Sequence, residues 1–259
     1  KSADIEFEIE IDNKNTQWVL GSMNQSKTTG EFILVVHDIT QLRQLNSMRR
    51  DFISNLSHEL RTPVSVIRAN SETLLDGALD NKKDAKVFAK AILHNSERLS
   101  LMVSDLIDLS RIEYGDLKLN IVPIDLDSFI EPFILSMKSL TKKKGINLTY
   151  KPAHKAKIKA DVQALERILT NLIDNAFKYS PEESFIEIST KQDDNNVRIM
   201  ISDNGIGISD ADKGHIFDRF YRAASARASH NKGSGLGLAI VKNLVNSLNG
   251  EVGVSTGSP

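Results

Sequence analysis

The sequence predicts a multidomain chain: a short β remnant, an all-α antiparallel helical hairpin, and an α+β sandwich. Three observations predict this fold class. Apolar and acidic residues alternate over residues 5–12, as in a half-buried strand. From Thr40 the apolar period becomes that of a helix, over two long stretches. After Gly115, short apolar runs alternate with amphipathic helical stretches, which is the pattern of helices packed on one face of a sheet.

The composition excludes several classes of protein. The 259 residues hold 33 basic and 34 acidic side chains, so the net charge of -1 gives no global reason to expect nucleic acid or an anionic membrane as partner. The absence of cysteine excludes disulfides, thiolate catalysis and cysteine zinc sites. No apolar run approaches the length of about 18 residues that a membrane span needs. We therefore expect a soluble, cytoplasmic, modular protein.

The first forty residues predict three strands, at residues 5–11, 16–23 and 32–36. Trp18, in the second of them, is predicted to be part of the sheet core. Three strands in about forty residues bury too little apolar surface to be stable alone. This segment is therefore interpreted as the C-terminal part of a larger sheet domain.

Two amphipathic helices follow, with a short break at residues 76–81. A short connection between long helices predicts an antiparallel hairpin. Two helices cannot cover both of their apolar seams, so we expect a second copy of the chain to complete a dimeric four-helix bundle. The seam residues are Ile53, Leu56, Leu60, Val64, Ile67 and Leu74 in the first helix, and Phe88, Ile92, Asn95, Leu99, Met102, Leu106 and Leu109 in the second.

The remaining residues predict short strands and three main helices. Asp127 is expected to cap a helix that ends near residue 144, and Asp161 to cap another that ends at Lys178. A last strand is expected from Glu251, and the chain ends before a final edge strand. The other predicted strands are residues 121–126, 146–150, 158–160, 185–190 and 197–201, and the third helix is residues 236–248.

One histidine has a setting that suits nucleophilic chemistry. In Ser57-His58-Glu59-Leu60-Arg61-Thr62-Pro63, His58 projects about 160° from the apolar seam and shares its exposed face with Thr62. Pro63 removes a helical hydrogen bond, so we expect a bend beyond the histidine. A neutral imidazole there can attack an electrophile while Glu59 takes up the other ring proton. The alternative is an ordinary surface histidine, which the geometry alone favours.

Two glycine runs suggest a nucleotide site. Asp203-Asn204-Gly205-Ile206-Gly207-Ile208 follows a strand, and Gly233-Ser234-Gly235-Leu236-Gly237-Leu238 opens a helix. Glycines before a helix N-terminus let phosphate approach the backbone. Neither run is the dinucleotide fingerprint, and no P-loop occurs. The polar stretch between them, residues 223–232, suggests a mobile lid over a nucleotide; the alternative is glycines used only in turns.

A third cluster lies on the predicted helix before these runs. Asn171, Asn175 and Lys178 share one helix face. Amide oxygens are ligands suited to Mg²⁺, and a lysine beside them suits phosphate. The alternative is an ordinary polar helix face.

In this order the motifs resemble those of the cytoplasmic core of a bacterial sensor histidine kinase with a Bergerat-fold ATPase domain. Residues 57–63 are similar to the family's H box, residues 171–179 to its N box, and residues 203–208 to its first glycine box. Phe217-Asp218-Arg219-Phe220-Tyr221-Arg222 is similar to its F box, and residues 233–238 to its second glycine box. The resemblance covers residues 41–259.

The resemblance also implies three domains. Residues 1–40, which end in Asp38-Ile39-Thr40, resemble the tail of a PAS sensor domain. Residues 41–115 would be the dimerisation and phosphotransfer hairpin, and residues 116–259 the ATP-binding domain. By the same resemblance the chain would be the cytoplasmic portion of a protein anchored in the inner membrane by segments outside this chain.

The resemblance implies ATP and Mg²⁺ as cofactors and assigns roles by motif. His58 would be the phosphoacceptor, Glu59 the general base and Thr62 part of a phosphatase motif. Asn175, assisted by Asn171, would bind Mg²⁺. The base pocket would be Asp203, which accepts from the adenine amino group, with Tyr179 and Ile208. The other expected ATP contacts are Lys178, Gly205, Gly207, Arg222, Gly233, Gly235, Leu236, Gly237 and Leu238, with Phe217 and Phe220 anchoring the lid.

The implied activity is ATP-dependent phosphorylation of His58 and transfer to an aspartate of a response regulator, with phosphatase activity towards that regulator. Two alternatives remain: a clamp-type ATPase that uses the hairpin only to dimerise, and a scaffold with an inactive kinase. The H box argues against the clamp-type ATPase, and the intact nucleotide motifs argue against the inactive scaffold. No nucleic-acid partner is expected, because the eight lysines of residues 138–159 lack interleaved aromatic residues and are interpreted as a solvated basic face.

Overall fold

A computed structural model describes residues 3–12, 15–26, 28–113, 117–142, 144–153, 156–193, 196–223, 225–226 and 234–255. The chain divides into two compact units, Lys1–Arg61 and Thr62–Pro259. Among the described residues, no helix combines the length and the apolar content that crossing a bilayer requires.

The first unit opens with the three predicted strands, β1 (Ala3–Asp12), β2 (Asn15–Gln25) and β3 (Phe32–Asp38). They form one antiparallel sheet in the order β1-β2-β3, in which Leu20 of β2 lies opposite Glu6 and His37. The predicted β segment is therefore confirmed. Its assignment as the tail of a PAS domain stays a prediction.

The sheet is joined to the first helix by a compact set of contacts. The Thr40 hydroxyl oxygen accepts a hydrogen bond of 2.8 Å from the Trp18 amide, and hydrogen bonding from Thr40 lowers the pKa of Asp38. The Arg43 guanidinium lies 5.2 Å from the centre of the Trp18 ring. The half-buried Trp18, in the central strand of the sheet, therefore lies against a residue of the first helix.

The two predicted long helices are present. Helix α1 (Thr40–Leu75) continues without interruption across Pro63 and crosses the boundary between the units. A single 3-10 turn (Ala78–Asp80) leads into α2 (Lys82–Glu113). Gly77 has a φ of 120°, a value that glycine adopts without the strain it imposes on other residues. The predicted break thus lies where the Asp-Gly pair stands in the sequence.

The rest of the second unit is the expected α+β domain. Helices α3 (Leu126–Lys142) and α4 (Val162–Tyr179) pack on strands from both of its sheets. Their shared core includes Ile130, Phe133, Leu165, Leu169, Ile173, Ile186 and Ile188. Strands β4 (Val122–Asp125) and β6 (Lys157–Ala160) are antiparallel; β5 (Asn147–Lys151) is parallel to β7 (Phe185–Gln192), which is antiparallel to β8 (Val197–Asp203). The helices are α3 (Leu126–Lys142), α4 (Val162–Tyr179), α5 (Asp210–Lys213) and α6 (Gly237–Ser247).

Two details of the prediction are wrong. Asp127 is not the cap of α3, because Asp125 accepts the Ser128 amide at 3.0 Å. Asp127 instead lies in the first turn and accepts the Tyr150 hydroxyl; burial first, and then this hydrogen bond, raise the pKa of Tyr150 to about 12. The strand expected from Glu251 is absent over residues 251–255, since no described strand lies alongside to complete its ladder of hydrogen bonds.

Helix α4 is held at its start by the predicted cap. The two carboxylate oxygens of Asp161 accept the amides of Ala164 (2.9 Å) and Asn120 (2.8 Å). The hydrogen bond from Ala164 is the main reason why the pKa of Asp161 is lowered. The cap therefore orients the helix that carries the N box and also ties it to the segment before β4.

Helix α2 packs against α6, so the hairpin is in contact with the α+β domain. At this contact Arg167 of α4 forms ion pairs with Asp105 and, at 3.4 Å, with Asp108 of α2. Burial raises the pKa of Asp105, while the charge of Arg167 acts in the opposite sense. Met102 and Leu109, one turn before and one turn after Asp105, are buried. These two seam residues are therefore already covered in a single copy of the chain.

We expect Asp161→Ala to lower the free energy of unfolding by about 1–2 kcal/mol at pH 7, because the cap of α4 is lost. The folded-state pKa of Asp161 lies below its unfolded value. The stabilisation should therefore be fully present above the unfolded pKa and disappear as the pH falls through the folded pKa. Urea unfolding at several pH values measures this. Asp174→Ala, an exposed position on the same helix, is the control, and an equal loss there would contradict the assignment.

Candidate functional site

The N-box helix α4 separates its apolar and polar side chains. Its predicted site residues Asn171, Asn175 and Lys178 are all half-buried, whereas the opposite face forms the core. The Asn171 Nδ2 donates to the Arg167 carbonyl at 2.9 Å. The side-chain amide of Asn175 makes no hydrogen bond within the part of the chain that the structure describes. Its oxygen is therefore available to a ligand.

The first glycine box lies directly against the end of α4. The Ile206 amide donates to the Tyr179 carbonyl at 3.2 Å, and the Gly205 amide donates to the Asp203 carboxylate at 2.9 Å. A Cβ added at Gly205 would lie 2.7 Å from the Tyr179 carbonyl oxygen, which is too close for any other residue. Glycine is therefore required by a backbone approach between the first glycine box and the N box.

The second glycine box contacts the F box in a similar way. The Phe220 amide donates to the Gly235 carbonyl at 2.9 Å. Gly235 has a φ of 72°, and a Cβ there would lie 2.8 Å from the Phe220 backbone. Phe220 itself has a φ of 59°, an uncommon value for a residue with a side chain. Both residues are thus held in left-handed conformations at one contact.

Gly237 links the second glycine box to α4. A Cβ at this position would lie 2.8 Å from the Asn171 side-chain oxygen, so the first turn of α6 approaches the N box closely. Leu236 is fully buried and Leu238 is half-buried, so their side chains contribute packing. Gly233 lies outside the described residues.

A cavity of about 450 Å³ opens where the N box meets the first glycine box. Three predicted site residues line it: Lys178, Tyr179 and Gly205. Asp203 and Gly207 are exposed and Ile208 is half-buried beside this loop. The remaining lining residues are Lys144, Ser180, Pro181, Glu182, Asn204, Ile206 and Ser225.

Two hydrogen bonds hold the chain at the start of the predicted lid. Arg222, which is half-buried, donates from Nη2 to the Ala226 carbonyl at 3.0 Å. The Tyr221 hydroxyl donates to the Asp212 carboxylate at 2.6 Å, which ties the F box to α5. Phe217 is half-buried, as expected of a lid anchor. Most of the predicted lid, residues 227–232, lies outside the described residues.

The H-box residues lie on α1. His58 is exposed, as predicted from its angle to the apolar seam, and Glu59 is half-buried. Both belong to the first unit, whereas Thr62, also exposed, begins the second. The structure therefore confirms the exposure of His58 and Thr62, and it brings the other four motifs together within the second unit.

The residues predicted to hold a metal ion, Asn171 and Asn175, offer amide oxygens. Within the described residues, no group of three or more histidine and acidic side chains is arranged to hold a metal ion. Asn175, whose side-chain amide makes no hydrogen bond to any of the described residues, suits a hard cation that keeps most of its water ligands. The Asn171 oxygen is directed towards Gly237, so it lies beside the second glycine box.

Three residues at the site were missed by the sequence reasoning. Lys144 lines the cavity although it belongs to the run interpreted as a solvated basic face, and Ser180 lines it just after the N box. Arg167 joins α4 to α2 one turn before Asn171. The position of Ser180 beside the N box was a usable signal. The roles of the two cations depend on partners 33 or more residues away, so no local pattern indicates them.

We expect Gly235→Ala to lower the free energy of unfolding by more than about 2 kcal/mol, because the left-handed conformation is strained by a side chain and the Phe220 backbone blocks the added Cβ. Gly207→Ala, with a φ of 70° but open space around it, isolates the conformational strain and should cost about 1 kcal/mol. Gly214→Ala, with an ordinary φ and open space, should be neutral or slightly stabilising. Equal losses for Gly235 and Gly207 in urea unfolding would rule out the contact as a cause.

Two segments of the chain match two known domain families. Residues 48–115 match the model of the His Kinase A (phospho-acceptor) domain, and residues 160–259 match that of the histidine kinase-, DNA gyrase B-, and HSP90-like ATPase. The sensor-like histidine kinase SenX3 of Mycobacterium tuberculosis is 35% identical over 222 residues, which are 86% of this chain and 54% of SenX3. The sensor histidine kinase WalK of Bacillus subtilis is 34% identical over 223 residues, 85% of this chain and 36% of WalK. The chain thus spans about half or less of these relatives.

Solved structures agree with this assignment. The histidine kinase AdeS of Acinetobacter baumannii is 27% identical, with a TM-score of 0.61 over 73% of this chain and 86% of AdeS. Full-length ShkA in complex with AMPPNP is 26% identical, with a TM-score of 0.58 over 80% of this chain and 43% of ShkA. The histidine kinase ThkA, at 19% identity, shares the fold, with a TM-score of 0.64 over 95% of this chain and 73% of ThkA. With both domains present in this order, the chain belongs to the sensor histidine kinase family.

Proposed function

We propose that this chain binds ATP in the cavity between α4 and the first glycine box and transfers the γ-phosphoryl group to His58. The observation that carries the proposal is that four separate motifs are held against one another: the N box and the first glycine box line the cavity, and the second glycine box contacts both the N box and the F box. Glycines at positions 205, 235 and 237 are each held close to another motif. Glycines used only in turns would not require these approaches, whereas a nucleotide site assembled from several segments does.

The nucleotide is expected to lie with its base beside Tyr179, Asp203 and Ile208. One oxygen of Asp203 accepts the Gly205 amide, and the other is then available to the amino group of adenine. Lys178 and Arg222, with the backbone of the second glycine box at the start of α6, would contact the phosphates. The complex of the related ShkA with AMPPNP supports a triphosphate nucleotide as ligand.

The transfer step follows from the chemistry of the exposed imidazole. The unprotonated ring nitrogen of His58 attacks the γ-phosphorus, so an N–P bond forms while the bond to the bridging oxygen breaks and ADP leaves. Glu59 takes up the proton from the other ring nitrogen. The cations near the phosphates offset the charge that develops on the transferred group. A magnesium ion, when bound, would neutralise phosphate charge, and Asn175 with Asn171 would hold it.

The phosphoryl group would then pass to an aspartate of a response regulator. His58 lies on an exposed helix face, which gives a receiver domain access to the phosphorylated ring. Thr62, exposed in the same helix, would position a water molecule against the phosphoaspartate in the phosphatase reaction, in which water attacks phosphorus, the bond to the aspartate oxygen breaks and inorganic phosphate leaves. This partner and both reactions follow from the family's H box, which residues 57–63 reproduce.

The hairpin would dimerise through its exposed apolar seam. Ile53 and Val64 are 52% and 51% exposed in the single chain, which is unfavourable for large apolar side chains on a helix. Burying them against a second copy would complete a four-helix bundle. We expect domain boundaries at residues 40 and 115, and a longer protein in which segments outside this chain carry the rest of a PAS-like sensor and a membrane anchor.

We expect His58→Gln to abolish incorporation of phosphate from γ-labelled ATP while leaving ATP affinity unchanged, because the acceptor nitrogen is lost and the cavity is not. The label on the unmodified chain should be acid-labile and alkali-stable, as phosphohistidine is. The matched control is His94→Gln, an exposed histidine on α2, which should label normally. Label that persists in His58→Gln would contradict the assignment of His58 as the acceptor.

We also expect Val64→Glu to weaken the dimer at least tenfold, because it places a charge in the middle of the apolar seam. Ser65→Glu adds the same charge at an exposed neighbour about 100° away around the helix. Analytical ultracentrifugation measures the monomer–dimer equilibrium of both variants. If both dissociate to the same extent, or if the unmodified chain sediments only as a monomer, the proposed bundle is wrong.

A further inference from the structure

Lys144 caps the C-terminal end of α4 from the loop between α3 and β5. Its Nζ donates hydrogen bonds to the carbonyls of Phe177 (2.9 Å) and Ser180 (3.0 Å) and lies 5.0 Å from the centre of the Phe177 ring. Carbonyls in the last turn of a helix have no partner within the helix, and the helix dipole places negative charge there. A lysine ammonium therefore satisfies both requirements at once.

The turn that Lys144 holds is also the wall of the cavity. Tyr179 lies between the two residues whose carbonyls Lys144 binds. Its own carbonyl accepts a hydrogen bond from the amide of Ile206 in the first glycine box. The last turn of α4 is thus clamped from two sides, by a side chain and by a backbone amide. Lys144, Tyr179, Ser180 and Ile206 all line the same cavity of about 450 Å³.

Ser180 indicates that this wall receives a polar group. Its side chain is 4% exposed, and its hydroxyl has no hydrogen-bond partner in the described part of the chain. A buried hydroxyl without a partner is costly, and such groups are nearly always satisfied by water or ligand. Because Ser180 lines the cavity, a water molecule or a ligand in the cavity can supply the partner once the hydroxyl turns towards it. Its position in turn depends on the carbonyl that Lys144 holds.

We propose that Lys144 is a positioning residue for the nucleotide: it holds the last turn of α4 so that Tyr179 and Ser180 form the base side of the site. The proposal rests on the nucleotide site proposed above. Lys144 acts through α4 and not through the phosphates. Loss of the Lys144 ammonium should therefore weaken the binding of ADP and of ATP by the same factor.

The test compares Lys144→Met with the unmodified 259-residue chain. Methionine keeps the apolar stem against Phe177 and removes the ammonium. Calorimetry with ATP and with ADP should give dissociation constants about tenfold higher for the variant, the usual effect of losing hydrogen bonds from a charged donor. The ratio of the two constants should stay unchanged. Amide exchange at Ser180 and Ile206 should become faster, because their hydrogen bonds anchor the same turn.

The control is Lys151→Met, an exposed lysine whose ion pair with Glu187 lies on the sheet; its affinities should stay within twofold of the unmodified chain. Unchanged affinity in Lys144→Met would overturn the proposal, as would a loss confined to ATP, which would mean a direct phosphate contact. If Lys144→Met does not fold, Lys144→Gln, which keeps an N–H donor, carries the same comparison and should bind with intermediate affinity. Absence of nucleotide binding by the unmodified chain would overturn the proposed function together with this inference.

Discussion

The end of α4 depends on hydrogen bonds that come from outside the helix. The carbonyls of Phe177 and Ser180 accept from the Lys144 ammonium, and the carbonyl of Tyr179 accepts from Ile206. Lys144 precedes α4 in the sequence, and Ile206 follows it. Without them the last turn would fray, since its carbonyls have no helical partner. The cavity, the position of Lys178 and the approach of the first glycine box all follow from this clamped turn.

Glycine serves this domain mainly as a packing residue. Gly205 and Gly237 stand where backbone or side-chain atoms of α4 leave no space for a Cβ, and Gly235 does so against Phe220. A nucleotide-binding role and a packing role are therefore not alternatives here. The same close approaches that exclude larger residues bring backbone amides from the glycine boxes to the helix that carries the amide and lysine side chains.

A charged contact joins the hairpin, which is expected to carry the phosphoacceptor, to α4, which is expected to bind the nucleotide. Arg167 pairs with Asp105 and Asp108 of α2 one turn before Asn171, so the hairpin is attached to the helix that carries the N box. Met102 and Leu109 are buried at the same contact. Part of the seam predicted for dimerisation is thus also a surface between domains of one chain. That dual use was not predictable, because helical periodicity shows which face is apolar but not what covers it.

The sequence by itself determined the order of the strands and of the long helices up to α6, the cap at Asp161, the break at Asp76-Gly77, the exposure of His58 and the identity of the motifs, because these depend on local periodicity and on residue types at short spacing. Tertiary structure alone decided that Asp125 and not Asp127 caps α3, and that no strand forms over residues 251–255. It also decided that Lys144, one of eight lysines in an apparently solvated run, is half-buried at the cavity. Asp127 is bound by Tyr150, 23 residues away, and Lys144 by the carbonyl of Phe177, 33 residues away, and such distant hydrogen-bond partners leave no periodic signal in the sequence.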